Sequence, residues 1–122
     1  AYPLSVATAY HSRFMEKSGI RLLEEIKDGR WKDPRMPLVS YLSLEPVDKN
    51  ELGKVMAAQL SRSVLWVDLI RKLRNSHARL FIEVGPGSVI SRTVKWIDRD
   101  MDILAVSDKE SLQKAIERSR TL

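Results

Sequence analysis

An α/β fold with a mainly parallel sheet flanked by helices follows from three features of this 122-residue chain. Strand-like runs alternate with helical ones from end to end. The run Leu80-Phe81-Ile82-Glu83-Val84 is almost uninterrupted apolar sequence, as in a strand covered on both faces. A glycine turn, Gly85-Pro86-Gly87, then leads straight into a further helical run. A chain of this length holds one domain at most and can bury about two-thirds of its unfolded surface.

In chain order, residues 4–9 (Leu-Ser-Val-Ala-Thr-Ala) are small and partly β-branched and predict a short strand that delivers Tyr10 and His11 to a loop. Ser12 is placed to cap the next helix, where Phe14, Ile20, Leu23 and Ile26 recur near helical spacing until Asp28-Gly29 stops it. Beyond the turn-forming Trp31-Lys32-Asp33-Pro34-Arg35, residues 37–42 read as a second strand. A helix from Glu51 carries Leu52, Val55, Met56 and Leu60 on one face, and residues 64–73 form another with Trp66, Leu69, Ile70 and Leu73 inward. After the strand at 80–84 and its glycine turn, a helix sets Val89, Ile90, Val94 and Ile97 on one side. Residues 103–106 are a last short strand, and Asp108 caps a terminal helix holding Leu112 and Ile116. There is no internal repeat.

A 43% hydrophobic share with 30% charged residues is ordinary globular composition, which argues against disorder, a collagen-like repeat or a low-complexity linker. No apolar run approaches the roughly 18 residues of a membrane-spanning helix. Residues 1–6 lack the basic-then-apolar order of a signal peptide, and without an initiator Met the start reads as chain interior. The absence of cysteine excludes disulfides, thiolate catalysis and cysteine-based zinc sites, and tilts the expected location toward the cytoplasm.

The net charge of +5 arises in residues 62–99, where Arg62, Arg71, Lys72, Arg74, Arg79, Arg92, Lys95 and Arg99 stand against Asp68, Glu83 and Asp98. Such a band is either a set of solvated helix faces or an attractor for an anionic partner. Nucleic acid is the weaker choice of partner, since no aromatics are interleaved with the band and no helix-turn-helix, RNP or finger pattern occurs.

Three constellations bear on chemistry. His11, at the C-terminal end of a predicted strand, lies where parallel α/β sheets place their active sites, and serves there as a general base or as a merely solvated residue. Glu83-Val84-Gly85-Pro86-Gly87-Ser88 is a strand–turn–helix junction whose helix-start N–H groups could bind an anion; a tight turn that needs two glycines explains it equally well. Gln59-Leu60-Ser61-Arg62-Ser63-Val64-Leu65-Trp66 ends one helix and starts the next, with a Trp large enough to anchor the second. His77, at a predicted helix end, reads as structural.

In this order the three pieces resemble the C-terminal part of the malonyl-CoA:acyl carrier protein transacylase family, which includes the acyltransferase domains of fatty acid and polyketide synthases. The family's strand ending in His, a small hydroxyl or thiol residue and a nearby Met is here Ala9-Tyr10-His11-Ser12-Arg13-Phe14-Met15. Its Pro-Val strand is Pro37-Leu38-Val39, and its Gln-Leu-x-x-Pro-Val-x-Trp segment is residues 59–66 with Ser63 in place of Pro. Its Glu-Val-Gly-Pro-Gly-x-Val-Leu block is matched at residues 83–90. The likeness covers residues 4–97 but well under half of a family member. The family's Gly-His-Ser-x-Gly nucleophile elbow, carboxylate-gripping arginine, oxyanion-site glutamine and most of its ferredoxin-like subdomain all lie upstream of the matched part.

The resemblance implies that residues 1–122 are a C-terminal segment of an α/β-hydrolase-like acyltransferase large subdomain. It implies transfer of a malonyl-type group from coenzyme A to an acyl carrier protein through a seryl ester, with His11 as the base and the Gln59 main-chain carbonyl orienting it. Tyr10 and Ser12 fall at the substrate, Tyr10 being the malonyl-type residue before the histidine. Arg62, Arg71, Lys72, Arg74 and Arg92 become candidates for docking the carrier or coenzyme A. No bound cofactor and no metal are implied, the coenzyme A thioester being substrate. The implied partners are an N-terminal half bearing the serine, an acyl carrier protein and malonyl-CoA, with neither nucleic acid nor membrane. Alone, the chain is expected to be inactive and poorly stable, its sheet edge and one face uncovered. The alternative is a non-catalytic α/β module whose basic face binds an acidic carrier or another partner.

Overall fold

The computed structural model describes residues 6–122, which fall into two compact units, the first ending at Trp66 and the second running Val67–Leu122. In the first unit a short 3-10 turn, Arg13–Met15, leads into helix α1 (Glu16–Ile26), which packs against helix α2 (Lys49–Gln59). The amphipathic spacing predicts α1, but its apolar stripe is only partly covered: Ile20 stays well exposed and the buried position is Gly19. α2 starts at Lys49 rather than Glu51, because the Asp48 carboxylate accepts the Asn50 N–H at 2.6 Å and opens the helix earlier. Ser12 occupies the N-cap position of the 3-10 turn without capping it. Its hydroxyl turns back and donates to the Ala9 carbonyl at 2.6 Å.

Neither strand predicted in this unit forms among the described residues. Residues 6–9 run through a bend without a ladder partner, and Leu4 and Ser5 lie outside the described residues. Within residues 37–42 only Val39 pairs, in a single antiparallel bridge to Pro46. Pro46 has no N–H with which to extend that ladder. The backbone instead closes on itself: Ser40 N–H donates to Glu45 O, Leu44 N–H to Ser40 O, and Leu42 N–H to the Ser40 hydroxyl, which leaves Ser40 buried.

Helix α3 (Trp66–Asn75) opens at the unit boundary, two residues later than its apolar run, with Leu69 and Ile70 buried. Strands β1 (Phe81–Val84) and β2 (Ile103–Val106) then pair in parallel, Phe81 opposite Ile103 and Val84 opposite Val106. Parallel pairing needs a crossover, which helix α4 (Val89–Ile97) supplies. α4 and the last helix, α5 (Lys109–Ser119), both pack against β2, and Val94, Met101 and Ala115 are buried. Asp108 caps α5 as predicted, accepting the Ser111 N–H at 2.8 Å while the Ser111 hydroxyl takes up the Asp108 N–H.

β1 departs from the strand expected to be covered on both faces. Phe81 and Glu83 are half-buried, whereas Ile82 is 47% and Val84 82% exposed. The described residues supply a layer to one face of the strand only.

Candidate active site

His11 is held by its backbone and its ring at once. Its N–H donates to the Leu60 carbonyl at 2.8 Å, and its Nδ1 lies 2.8 Å from the Gln59 carbonyl oxygen. Both acceptors stand at the C-terminal end of α2, where helix carbonyls lack intrahelical donors and are free to accept from elsewhere. To meet them His11 adopts a left-handed backbone, φ +61°, a conformation that costs a non-glycine residue energy and that the two bonds maintain. A carbonyl can only accept, so Nδ1 carries the hydrogen, and in the neutral ring Nε2 keeps its lone pair. The exposed imidazole is thereby oriented as a proton acceptor.

Two phenols flank the ring. Tyr10, more than half exposed, has its ring centroid 6.5 Å away, and Tyr41 meets the imidazole edge-on at 6.4 Å. Partial burial pushes the Tyr41 hydroxyl above its ordinary pKa, so it stays neutral. The Tyr41 carbonyl accepts the Leu65 N–H at 3.0 Å, which ties this residue to the chain following α2. Tyr41 and the Leu60 carbonyl are the parts of the arrangement that sequence reasoning misses. The first sits in a segment read as a strand, and the second is a main-chain atom without a side-chain signature.

The structure brings His11 to Gln59 and Tyr10 to His11, while the Ser12 hydroxyl is engaged by Ala9. Of the predicted docking cations, Arg62 is an exposed residue of the first unit, and Arg71, Lys72, Arg74 and Arg92 are exposed in the second. Arg74 pairs with Asp98, and the Arg92 Nε donates to the Ser88 carbonyl at 3.3 Å.

The junction at residues 83–88 is a turn, and its helix start is already occupied. The Glu83 carboxylate accepts the N–H groups of Ile90 at 3.0 Å and Ser91 at 2.8 Å, with the Ser91 hydroxyl at 2.5 Å on the same oxygen as the latter. This internal anion fills the place an external one was expected to take. The Ser91 hydroxyl, helped by the two N–H groups and by Arg92, holds the carboxyl below its ordinary pKa against the opposing effect of desolvation. Gly85 at φ +146° and Gly87 at φ +91° supply the backbone that lets the chain reverse between Glu83 and α4. His77, exposed and at φ +66°, follows the end of α3. Among the described residues no three His, Asp or Glu side chains are grouped to hold a metal ion, and no helix is long and apolar enough to cross a membrane.

No family model matches the chain. The malonyl CoA-acyl carrier protein transacylase of Bacillus subtilis (strain 168) is 33% identical over 118 residues, which are 96% of this chain and 37% of that protein. The solved structure of the malonyl CoA-acyl carrier protein transacylase from Coxiella burnetii superposes with a TM-score of 0.90 at 26% identity, over 94% of this chain and 37% of that one. A malonyl-transacylase solved in complex with its type II polyketide synthase acyl carrier protein has the same fold, with a TM-score of 0.89 at 23% identity over 95% of this chain and 38% of that one. The chain thus spans little more than a third of the length of the proteins it matches. The resemblance carried by His11, the residue 59–66 segment and the residue 83–90 block is borne out, and the fold is that of the C-terminal part of a malonyl-CoA:acyl carrier protein transacylase.

Proposed function

We propose that this chain is the histidine-bearing part of an acyltransferase that moves a malonyl group from coenzyme A to an acyl carrier protein. The observation that carries the reading is the pair of bonds from His11 to consecutive carbonyls at the end of α2, which presents a ring nitrogen able to accept a proton. In the proposed cycle a serine hydroxyl attacks the malonyl thioester carbonyl and Nε2 of His11 takes its proton. The carbon–sulfur bond breaks, coenzyme A leaves as the thiol with that proton, and a malonyl ester remains on the serine. The carrier's thiol then attacks the ester, His11 again relays the proton, and the serine is restored. The exchange is redox-neutral and draws on no metal; the coenzyme A thioester enters as substrate.

The serine belongs to an N-terminal half, on a second chain or a separate fragment, so residues 1–122 are a segment of the whole domain and inactive alone. Tyr10 beside the ring narrows the space at the acyl α-carbon and favours malonyl over branched groups, an effect limited to about 1–3 kcal/mol for one methyl. Arg62, Arg71, Lys72, Arg74 and Arg92 are the cations offered to an acidic carrier or to the phosphates of coenzyme A. Intact-protein mass spectrometry with malonyl-CoA tests the reading. A second polypeptide that gains one malonyl group in the presence of this chain supports it. A chain that has no such companion, and a sample that gains nothing, would favour a non-catalytic module.

A further inference from the structure

Away from His11, the first unit contains an open cavity of about 600 Å³ formed by the end of α1, the loop after it and the first turns of α2. Leu23 and Ile26 give it an apolar side, while Lys27, Arg30 and Lys54 bring three cations to its lining. Among the described residues no carboxylate lines it, and these three cations make no ion pair. Lys49, also in the lining, is paired with Asp33 at 2.7 Å. A concavity lined by one sign of charge focuses its field on an incoming anion.

The cavity also holds a fixed aromatic ring. A Cβ on Gly29 would stand 3.1 Å from the Trp31 indole and 2.9 Å from the Ile26 carbonyl oxygen, so the glycine lets the ring lie against the backbone at the end of α1. The main-chain N–H of Trp31 donates to the Gly29 carbonyl at 3.2 Å, and about a third of the residue's surface (36%) remains open. A seated, partly open indole next to unpaired cations suits a ligand that combines a flat π-system with several negative charges.

We propose that this cavity binds a purine nucleotide carrying at least two phosphates, with the base against Trp31 and the phosphates among Lys27, Arg30 and Lys54. The inference does not rest on the acyl-transfer reading, because none of these residues touches His11 or the carbonyls that hold it. The same base and diphosphate occur in a free nucleotide and at one end of coenzyme A, so both are tested.

The experiment is calorimetric titration of the complete protein containing this chain with ADP, pyrophosphate, adenosine and coenzyme A. ADP is expected to bind more tightly than pyrophosphate, and adenosine hardly at all, with affinity falling as salt is raised. The double variant Lys27→Ala/Arg30→Ala, at exposed positions, should weaken ADP and pyrophosphate alike by about ten-fold or more, and Trp31→Leu should weaken ADP but not pyrophosphate. Circular dichroism confirms that each variant is folded. Coenzyme A that competes with ADP would show that the cavity admits the larger ligand, and ADP binding without competition would restrict it to free nucleotides. Both outcomes support the site. Absence of ADP binding, or binding unchanged in the Lys27→Ala/Arg30→Ala variant, overturns it. Seryl acylation from malonyl-pantetheine, a thioester donor that carries no nucleotide, should be unaffected by the double variant, which separates this proposal from the one above.

Discussion

Gly19 of α1 lies so close to the backbone of Ala57 in α2 that a Cβ at position 19 would stand 2.8 Å from the Ala57 carbonyl oxygen. The contact falls two residues before Gln59 and eight after His11, so it sets the spacing of the two helices that bring imidazole and carbonyl together. Gly19→Ala must push backbone against backbone, and is expected to cost about 1–3 kcal/mol. At Gly53, also inside α2, an added Cβ would meet only carbons of Ile26 and Leu23 at 3.8–3.9 Å. Gly53→Ala should therefore stabilise by about 0.5–1 kcal/mol through the helix propensity alone. Urea denaturation of both variants checks the argument, which fails if the two midpoints move in the same direction.

The bond from His11 to Gln59 runs to a main-chain atom, and that separates the effects of two substitutions. His11→Ala removes the proposed base and should lower acyl transfer by roughly 10²–10⁴-fold. Gln59→Ala keeps the carbonyl and should cost only a few-fold. Steady-state transfer rates from malonyl-CoA in the complete enzyme give the comparison, and equal losses would count against the carbonyl's orienting role.

How much of this was legible in the sequence depends on the range of the interactions involved. β2 and α5 fall where the residues predict them, because a short β-branched run followed by an Asp cap carries its own local instructions. The run at 37–42 has strand composition but no neighbour to pair with beyond Val39, and Pro46 closes off the one partner it finds. Residues 6–9 likewise lack a partner among the described residues. The anchoring of His11 joins positions 48 and 49 residues apart through carbonyls, so no side-chain pattern announces it, and only the family resemblance pointed to Gln59. The seating of the β1 residue Glu83 at the start of α4 was hidden for a related reason. A motif with two glycines advertises a vacant helix start, and the acid that fills it precedes the turn.

Glu83 makes acid stability testable. Its carboxyl is held below the ordinary pKa, first by the Ser91 hydroxyl, so the stabilisation is fully present above the carboxylate range of the unfolded chain. It disappears as pH falls through the depressed folded value. Glu83→Gln retains a side-chain acceptor but no charge, so it should lower the melting temperature near neutrality, and the gap from the parent should close as pH drops toward and below that range. Asp108 and Glu110, whose pKa values are also lowered, are present in both proteins and cancel in the difference. A gap that stays constant from neutral to acid pH would remove the carboxylate from the account.

The bare face of β1 tests the proposal that another half completes the domain. Ile82 and Val84 lie on the open face of the strand, where Val84 keeps 82% of its surface exposed. In the chain alone, Val84→Lys swaps one solvated side chain for another and should change stability by less than about 0.5 kcal/mol. If the serine-bearing half lays a strand or helix over this face, the same substitution buries an unpaired ammonium in the complete enzyme, at a cost of several kcal/mol. The complete enzyme should then lose assembly or melt far earlier, while the isolated chain keeps its circular dichroism spectrum and loses some of its binding of an apolar dye. Val84→Ile, which keeps the face apolar, should leave assembly intact. Tolerance of Val84→Lys in the complete enzyme would mean that the face meets water there too, and that the two halves join elsewhere.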